Sequence, residues 1–416
     1  MEQDKKVLVD SEYSQSRVPK DKFQGFWQLF FVMVGFTFFS PSMITGGKLG
    51  LGLNLRDFIL AVVIGNAFLA IYTGVLAYIS QKSGLNLDLL ANQAFGKKGS
   101  FISSALVSFT QTGWFGVGVA MFAIPVSKIY GVNTYFLVLV SGFLMTVTAV
   151  VGIKALSIFG TVAVPLIAIL GSYSSFLSLD KVAGFQNIFS ESPTQELLLT
   201  AAIAMVIANF ISGGTSTPNF TRFAKSSTQA VWVTVIAFFF GNILMISFGA
   251  IGASVYNEAD IFNVLTIQGL TVPAILTLGL NIWSTNNNAL YTAGLGVSNL
   301  SKLPIKLSTF IMGTIGTLAA IYLYDNFTGY LTILGTIIPP IGGVIIMYYF
   351  LHKEQLETGP EIPQENMHWP SILAVAISVV ISFVMPFGIE AINGLLSSII
   401  VYLVLELIYE KILYKS

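Results

Sequence analysis

Four polar residues within one apolar stretch, Asn281, Ser284, Thr285 and Asn288, recur at i, i+3, i+4 and i+7, the spacing that places them on one face of a helix. Neighbouring hydroxyls at Ser284 and Thr285, with a carbonyl one turn earlier at Asn281, make half an oxygen cage for a small cation. Carbonyls freed at a helix break elsewhere would complete it. The same stripe would also serve to hold helices together, at about 0.6 kcal/mol per hydrogen bond. A second pair, Gln111 and Trp114, shares one helical face and is followed by Gly116 and Gly118, which admit a close neighbour. Facing Phe210, Trp114 would form an aromatic slot for a flat ring, with the amides of Gln111 and Asn209 offering donors and acceptors to its edge. Core packing with an internal hydrogen bond for Gln111 is the plainer alternative.

The third feature is the stretch from Ala208 to Phe223, where an apolar helix is interrupted by Gly213, Gly214 and Pro218. Hydroxyls at Ser212, Thr215, Ser216 and Thr217 stand ready for carbonyls left without partners. At membrane depth such a break is tolerated only where the backbone is buried in protein or lines a cavity. What is missing is as informative. With no cysteine, thiolate catalysis, disulfides and Cys-ligated metals are excluded. The two histidines, His352 and His368, fall in a polar linker and are not read as metal ligands. No nucleophile with a base, no metal cluster and no acid/base pair stands out, so the residues do not describe an enzyme.

The elements that must position these groups are membrane helices. Of 416 residues, 54% are hydrophobic and 10% charged, far from the roughly 25% charged residues of soluble domains. Net charge is zero, which points to no nucleic-acid partner. Apolar windows of about 20 residues predict an all-α polytopic membrane protein with twelve spans, at 26–53, 57–81, 100–129, 133–152, 154–178, 196–223, 226–253, 270–297, 305–324, 326–350, 369–386 and 389–411. Sixteen of the Lys and Arg residues, among them Lys5, Lys6, Lys98, Arg222, Lys302, Lys353 and Lys415, fall on one side and four on the other. The positive-inside rule then makes both termini cytoplasmic.

Spans one to five (26–178) and six to ten (196–350) form two halves joined by a connector at 179–195, and five spans per half make the second half inverted. Each half opens on an interrupted helix, at Gly35 to Ser42 and at Gly214 to Pro218, and paired interruptions point to a transporter's central site. Residues 1–25 form a cytoplasmic tail. Residues 351–368, with Glu354, Glu357, Pro360, Glu361, Pro363 and Glu365, form a cytoplasmic linker to two accessory helices within 369–416. Spans one, three, six and eight carry no charge in their middles; the nearest, Lys48, Lys128, Glu196 and Arg222, lie near their ends. The ligand is therefore expected to be neutral, because an unpaired charge there is costly. A half-helix N-terminus can hold a carboxylate, which keeps neutral amino acids open as substrates. Sodium is the simpler coupling ion, since a proton relay ordinarily needs intramembrane carboxylates or histidines.

Four stretches resemble the bacterial cytosine permeases of the nucleobase:cation symporter-1 family: Phe31 to Ser40, Gln111 to Pro125, Asn281 to Tyr291 and Ile338 to Ile346. The resemblance implies a leucine-transporter type of fold, a five-plus-five inverted repeat with broken helices one and six, in a bacterial inner membrane. It implies sodium-coupled uptake of cytosine stacked between Trp114 and Phe210, with polar contacts from Gln111, from Asn209 to Ser212 and from Asn281 and Asn286 on helix eight. Sodium is then expected among carbonyls of Gly35, Phe38 and Asn281 and hydroxyls of Ser284 and Thr285. Asn209 stands where the family pattern has a small serine. It is expected to read the ring edge, which keeps uracil, purines and hydantoin-like rings in view.

Overall fold

The expected break in the first span is a change of chain direction: α1 (Phe26–Thr37) and α2 (Pro41–Gly52) meet at 51° across Phe38, Phe39 and Ser40. Pro41 opens α2 in its first turn, where the missing N–H interrupts no helical bond. The computed structural model describes residues 13, 16–151, 153–184, 187–190, 193–358 and 366–413. Lys5, Lys6, Pro360, Glu361, Pro363, Glu365 and Lys415 lie outside the described residues.

Every regular element among the described residues is helical. After α2 come α3 (Leu55–Ser83), α4 (Leu87–Phe95), α5 (Ser100–Tyr130), α6 (Thr134–Val151) and α7 (Ile153–Lys181). Then follow α8 (Leu199–Thr215), α9 (Pro218–Thr221) and α10 (Ser227–Ile236), which passes through a π turn into α11 (Asn242–Tyr256). The remainder is α12 (Ile261–Ile267), α13 (Thr271–Ser301), α14 (Ile305–Asp325), α15 (Phe327–Leu351), α16 (Lys353–Thr358), α17 (Trp369–Val384) and α18 (Glu390–Leu413). Among the described residues, eight helices are long and apolar enough to cross a membrane, and the bent α1 and α2 pair makes a ninth. The other expected spans are helical too: α6 and α17 are shorter apolar helices, and α13 carries the polar stripe.

Three short helices, α4, α12 and α16, escape the apolar-window reading. Two of them begin at a side chain that caps them: Asn86 accepts from Leu89 N at 2.8 Å before α4, and Asp260 accepts from Phe262 N at 2.8 Å before α12. The second interruption is also milder than the sequence suggests. Helix α8 runs through Gly213 and Gly214 to Thr215, only Ser216 and Thr217 separate it from α9, and the two together pass as a single span. The glycines serve packing here: a Cβ on Gly214 would lie 2.8 Å from Thr73, and one on Gly213 3.0 Å from the Phe210 ring. The hydroxyls do meet the loosened carbonyls, Thr215 donating to Ile211 O at 2.8 Å and Ser216 to Ser212 O at 3.2 Å.

The two largest packing surfaces join elements far apart in the chain, α2 with α11 and α5 with α13, and α5 also packs broadly on α14 and α3 on α8 and α10. Between α2 and α11 the backbones nearly touch. A Cβ on Gly46 would sit 1.9 Å from Ile246 O, one on Gly50 2.5 Å from Ala250 O, and one on Gly249 1.9 Å from Met43 O. Backbone cannot rotate away as a side chain can, so even a methyl group forces these helices apart. Gly249→Ala is expected to cost about 1–3 kcal/mol, seen as a lowered unfolding temperature in detergent. Gly329→Ala, with nothing within 4 Å of its added methyl, should not lower that temperature.

Candidate functional site

The interruption after α1 is held by one side chain of α13. The Asn281 amide donates to Phe38 O at 2.6 Å, and its Oδ1 accepts from Ser40 N at 3.0 Å and from the Ser40 hydroxyl at 2.5 Å. One turn on, Thr285 Oγ1 donates to Asn281 O at 3.0 Å and Ile282 O at 3.2 Å, which leaves its oxygen lone pairs for another partner. Ser284 is buried on the same helix, and Gly35 is buried in α1 just before the break. The polar stripe of α13 and the freed end of α1 are thus in direct contact. Both are uncharged oxygen donors, the chemistry that suits an alkali cation.

Beside this contact the aromatic residues close around a small cavity lined by Phe36, Phe39, Gln111, Trp114, Asn209, Phe210, Gly213, Thr285 and Ala289. Phe39 stands between Trp114 and Phe210. Its ring centroid lies 5.1 Å from Trp114 and 5.8 Å from Phe210, edge-on to both. Phe36 meets Phe210 edge-on at 5.4 Å. Sequence reasoning missed both of these phenylalanines, although they flank the break and the interruption itself was the signal. On the far side, Phe327 and Tyr330 of α15 back the Trp114 ring at 5.9 and 5.4 Å. Ser212 Oγ accepts from Trp114 Nε1 at 3.0 Å and from Gln111 Nε2 at 3.2 Å, fixing the indole plane and the amide together.

Asn209 lies on the cavity wall, but its amide is engaged within the protein. Its Oδ1 accepts from Thr45 Oγ1 at 2.9 Å, and its Nδ2 donates to Ser42 Oγ at 2.8 Å and Asn242 Oδ1 at 3.2 Å. Asn242 donates in turn to Asn66 Oδ1 at 2.7 Å, and Asn66 to Val62 O at 2.8 Å. The residue expected to read a ring edge therefore ties α8 to α2, α11 and α3. Asn286 also faces elsewhere. Its Nδ2 donates to Phe115 O at 3.1 Å and contacts Met145 Sδ at 3.3 Å, filling the space that Gly118 leaves open. Asn286 is not on the cavity wall, and Asn288 is half-buried further along α13.

A bundle of apolar helices whose first span bends near its middle and docks on a polar helix has the leucine-transporter type of fold. Residues 17–404 match the family described as permease for cytosine/purines, uracil, thiamine and allantoin, and the chain belongs to that family, the nucleobase:cation symporter-1 transporters. It is 47% identical over 402 residues to the cytosine permease of Escherichia coli (strain K12), covering 97% of this chain and 96% of that one. Among solved structures, a nucleobase-cation-symport-1 family transporter in a closed conformation with bromovinylhydantoin bound superposes with a TM-score of 0.81. The two are 18% identical, over 94% of each chain. A Na+-coupled sialic acid symporter in a substrate-bound outward-open state gives 0.71 at 13% identity, over 95% of this chain and 93% of that one. The relatives are permeases, and the chain is a transporter, not an enzyme.

The amide network generates a direct test. Asn209→Ala removes the partners of Thr45, Ser42 and Asn242 at once, which should cost about 1–3 kcal/mol for the buried groups left unpaired. The variant should unfold at lower temperature in detergent, yet rank competing ring ligands in the same order as the parent protein.

Proposed function

We propose that the protein imports a neutral nucleobase, cytosine first among them, together with sodium, by alternating access across a bacterial inner membrane. The observation that carries this reading is the uncharged cavity in which Trp114 and Phe210 present aromatic surface and Gln111 presents an amide. A flat heterocycle needs such surfaces and no counter-charge, and the high identity to a cytosine permease supports cytosine as that heterocycle. In this reading Phe39 gives way as the base enters, so that the ring stacks where Phe39 now stands.

Sodium is assigned to the neighbouring carbonyls of Gly35, Phe38 and Asn281 and the hydroxyls of Ser284 and Thr285. The contact between Asn281 and the end of α1 supports this assignment. Because the base is neutral, each sodium carries its full charge through the potential, about 2.3 kcal/mol per 100 mV. A tenfold sodium gradient adds about 1.4 kcal/mol. Together these support accumulation of several hundred-fold. The two halves, 26–178 and 196–350, act as inverted repeats around the site, with residues 369–416 accessory and both termini cytoplasmic.

Uptake of radiolabelled cytosine into vesicles, with and without sodium, tests the whole reading. Thr285→Ala should raise the sodium concentration for half-maximal uptake, and the double Ser284→Ala, Thr285→Ala variant should lose sodium stimulation. Uptake that survives replacement of sodium by choline and collapses under a protonophore would overturn the ion assignment. Trp114→Ala and Phe210→Ala should each weaken cytosine binding roughly 5- to 150-fold, the equivalent of about 1–3 kcal/mol per stacked face. Unchanged binding by folded Trp114→Ala protein would reject the slot.

A further inference from the structure

At the end of the bundle farthest from Phe327 along α15, three helices bring together side chains that the central site does not use. His352 follows the last turn of α15, His368 precedes the first turn of α17, and Glu406 and Glu410 stand one turn apart on α18. One ligating atom each from His352, Glu406 and Glu410 lies within 4.8 Å of the others. We propose that this cluster binds a divalent transition-metal cation of the zinc type, with His368 beside it as a further ligand.

The hydrogen bonds around the imidazoles prepare them for that role. His352 Nδ1 lies 3.1 Å from Tyr348 O, and a carbonyl only accepts, so the proton sits on Nδ1 and the Nε2 lone pair is left for the cluster. His368 Nδ1 lies 2.8 Å from Ser371 Oγ, whose own proton goes to Ala94 O at 2.5 Å. Ser371 must then accept from Nδ1, and Nε2 again faces inward. A protein partner that orients the ring through its other nitrogen is the usual support of a metal-ligating histidine.

Glu406 supplies the second observation. It is only 5% exposed, yet its Oε2 accepts no hydrogen bond in the structure and faces His368 Nε2 at 3.3 Å. A buried carboxylate beside an imidazole nitrogen at this distance calls for a cation between them, a proton or a metal ion. Two carboxylates and neutral imidazole match a doubly charged ion of borderline softness. Ligands of a tetrahedral zinc ion are about 3.3 Å apart at ordinary zinc–ligand bond lengths, so the cluster must contract, and exposed Glu410 is the group free to close it. The bound ion would fasten the end of α15 to α18, and through His368 to α17.

The test uses tag-free, full-length protein in detergent, stripped with EDTA and equilibrated by dialysis with radioactive zinc. The parent chain should retain about one ion, and His352→Ala and Glu410→Gln should each weaken retention at least about tenfold. Glu410 is exposed, so that variant keeps its fold, which elution as a single species verifies. Excess magnesium should not compete, because it prefers an octahedron of oxygens. Absence of stoichiometric zinc on the parent chain, retention unchanged by either substitution, or ready displacement by magnesium would each overturn the proposal.

Discussion

A backbone that leaves its helix at membrane depth must find hydrogen-bond partners inside the protein, and the arrangement around Phe38 and Ser40 follows from that requirement. One asparagine meets it. The Asn281 amide serves the carbonyl at the end of α1 and the N–H at the approach to α2, so a single side chain on α13 sets where the first helix stops and where it resumes. The positions of Phe36 and Phe39 follow, because they ride on the two sides of the interruption. Without that docking, the cavity would lack one wall and the oxygens of α13 would face no partner on α1.

A second amide system holds the other side. Asn209, Asn242 and Asn66 form a chain of side-chain hydrogen bonds through α8, α11 and α3, with Ser42 and Thr45 joining it from α2. Such a network rigidifies when every member is satisfied and is costly when one is lost. The cavity thus lies between two clamps of opposite character. The Asn281 clamp engages backbone at an interruption, where small shifts are inexpensive, whereas the Asn209 clamp engages side chains between helices that pack closely.

Much of this was legible in the residues. Ser40 and Pro41 announced the first interruption, and the spacing from Asn281 to Thr285 announced the polar face that meets it. Gln111 and Trp114 announced a wall with both aromatic and amide character. What escaped depends on partners distant in the chain. The direction of the Asn209 amide is set by Ser42, Thr45 and Asn242, and that of Asn286 by the gap at Gly118, neither of which local spacing encodes. Gly213 and Gly214 looked like helix breakers because propensity treats glycine as a weak former. Close approach of Thr73 and of the Phe210 ring to those positions overrides propensity here. The capped helices α4 and α12 were missed because apolar windows are tuned to spans and not to caps.

The near contact of α2 and α11 bears on how the molecule is made. The glycine face of α2 has its partner at residues 246–250, some 200 residues later in synthesis, and α5 waits about 170 residues for α13. A ribosome that has delivered residues 26–181 has therefore inserted helices whose best-fitting surfaces are vacant. During that interval lipid must cover the small-residue face, and the α5 groups that will face α13 have not yet met their partners. The interdigitation that gives the finished bundle its tight centre thus makes insertion and assembly separate events, with the central cavity among the last features to form.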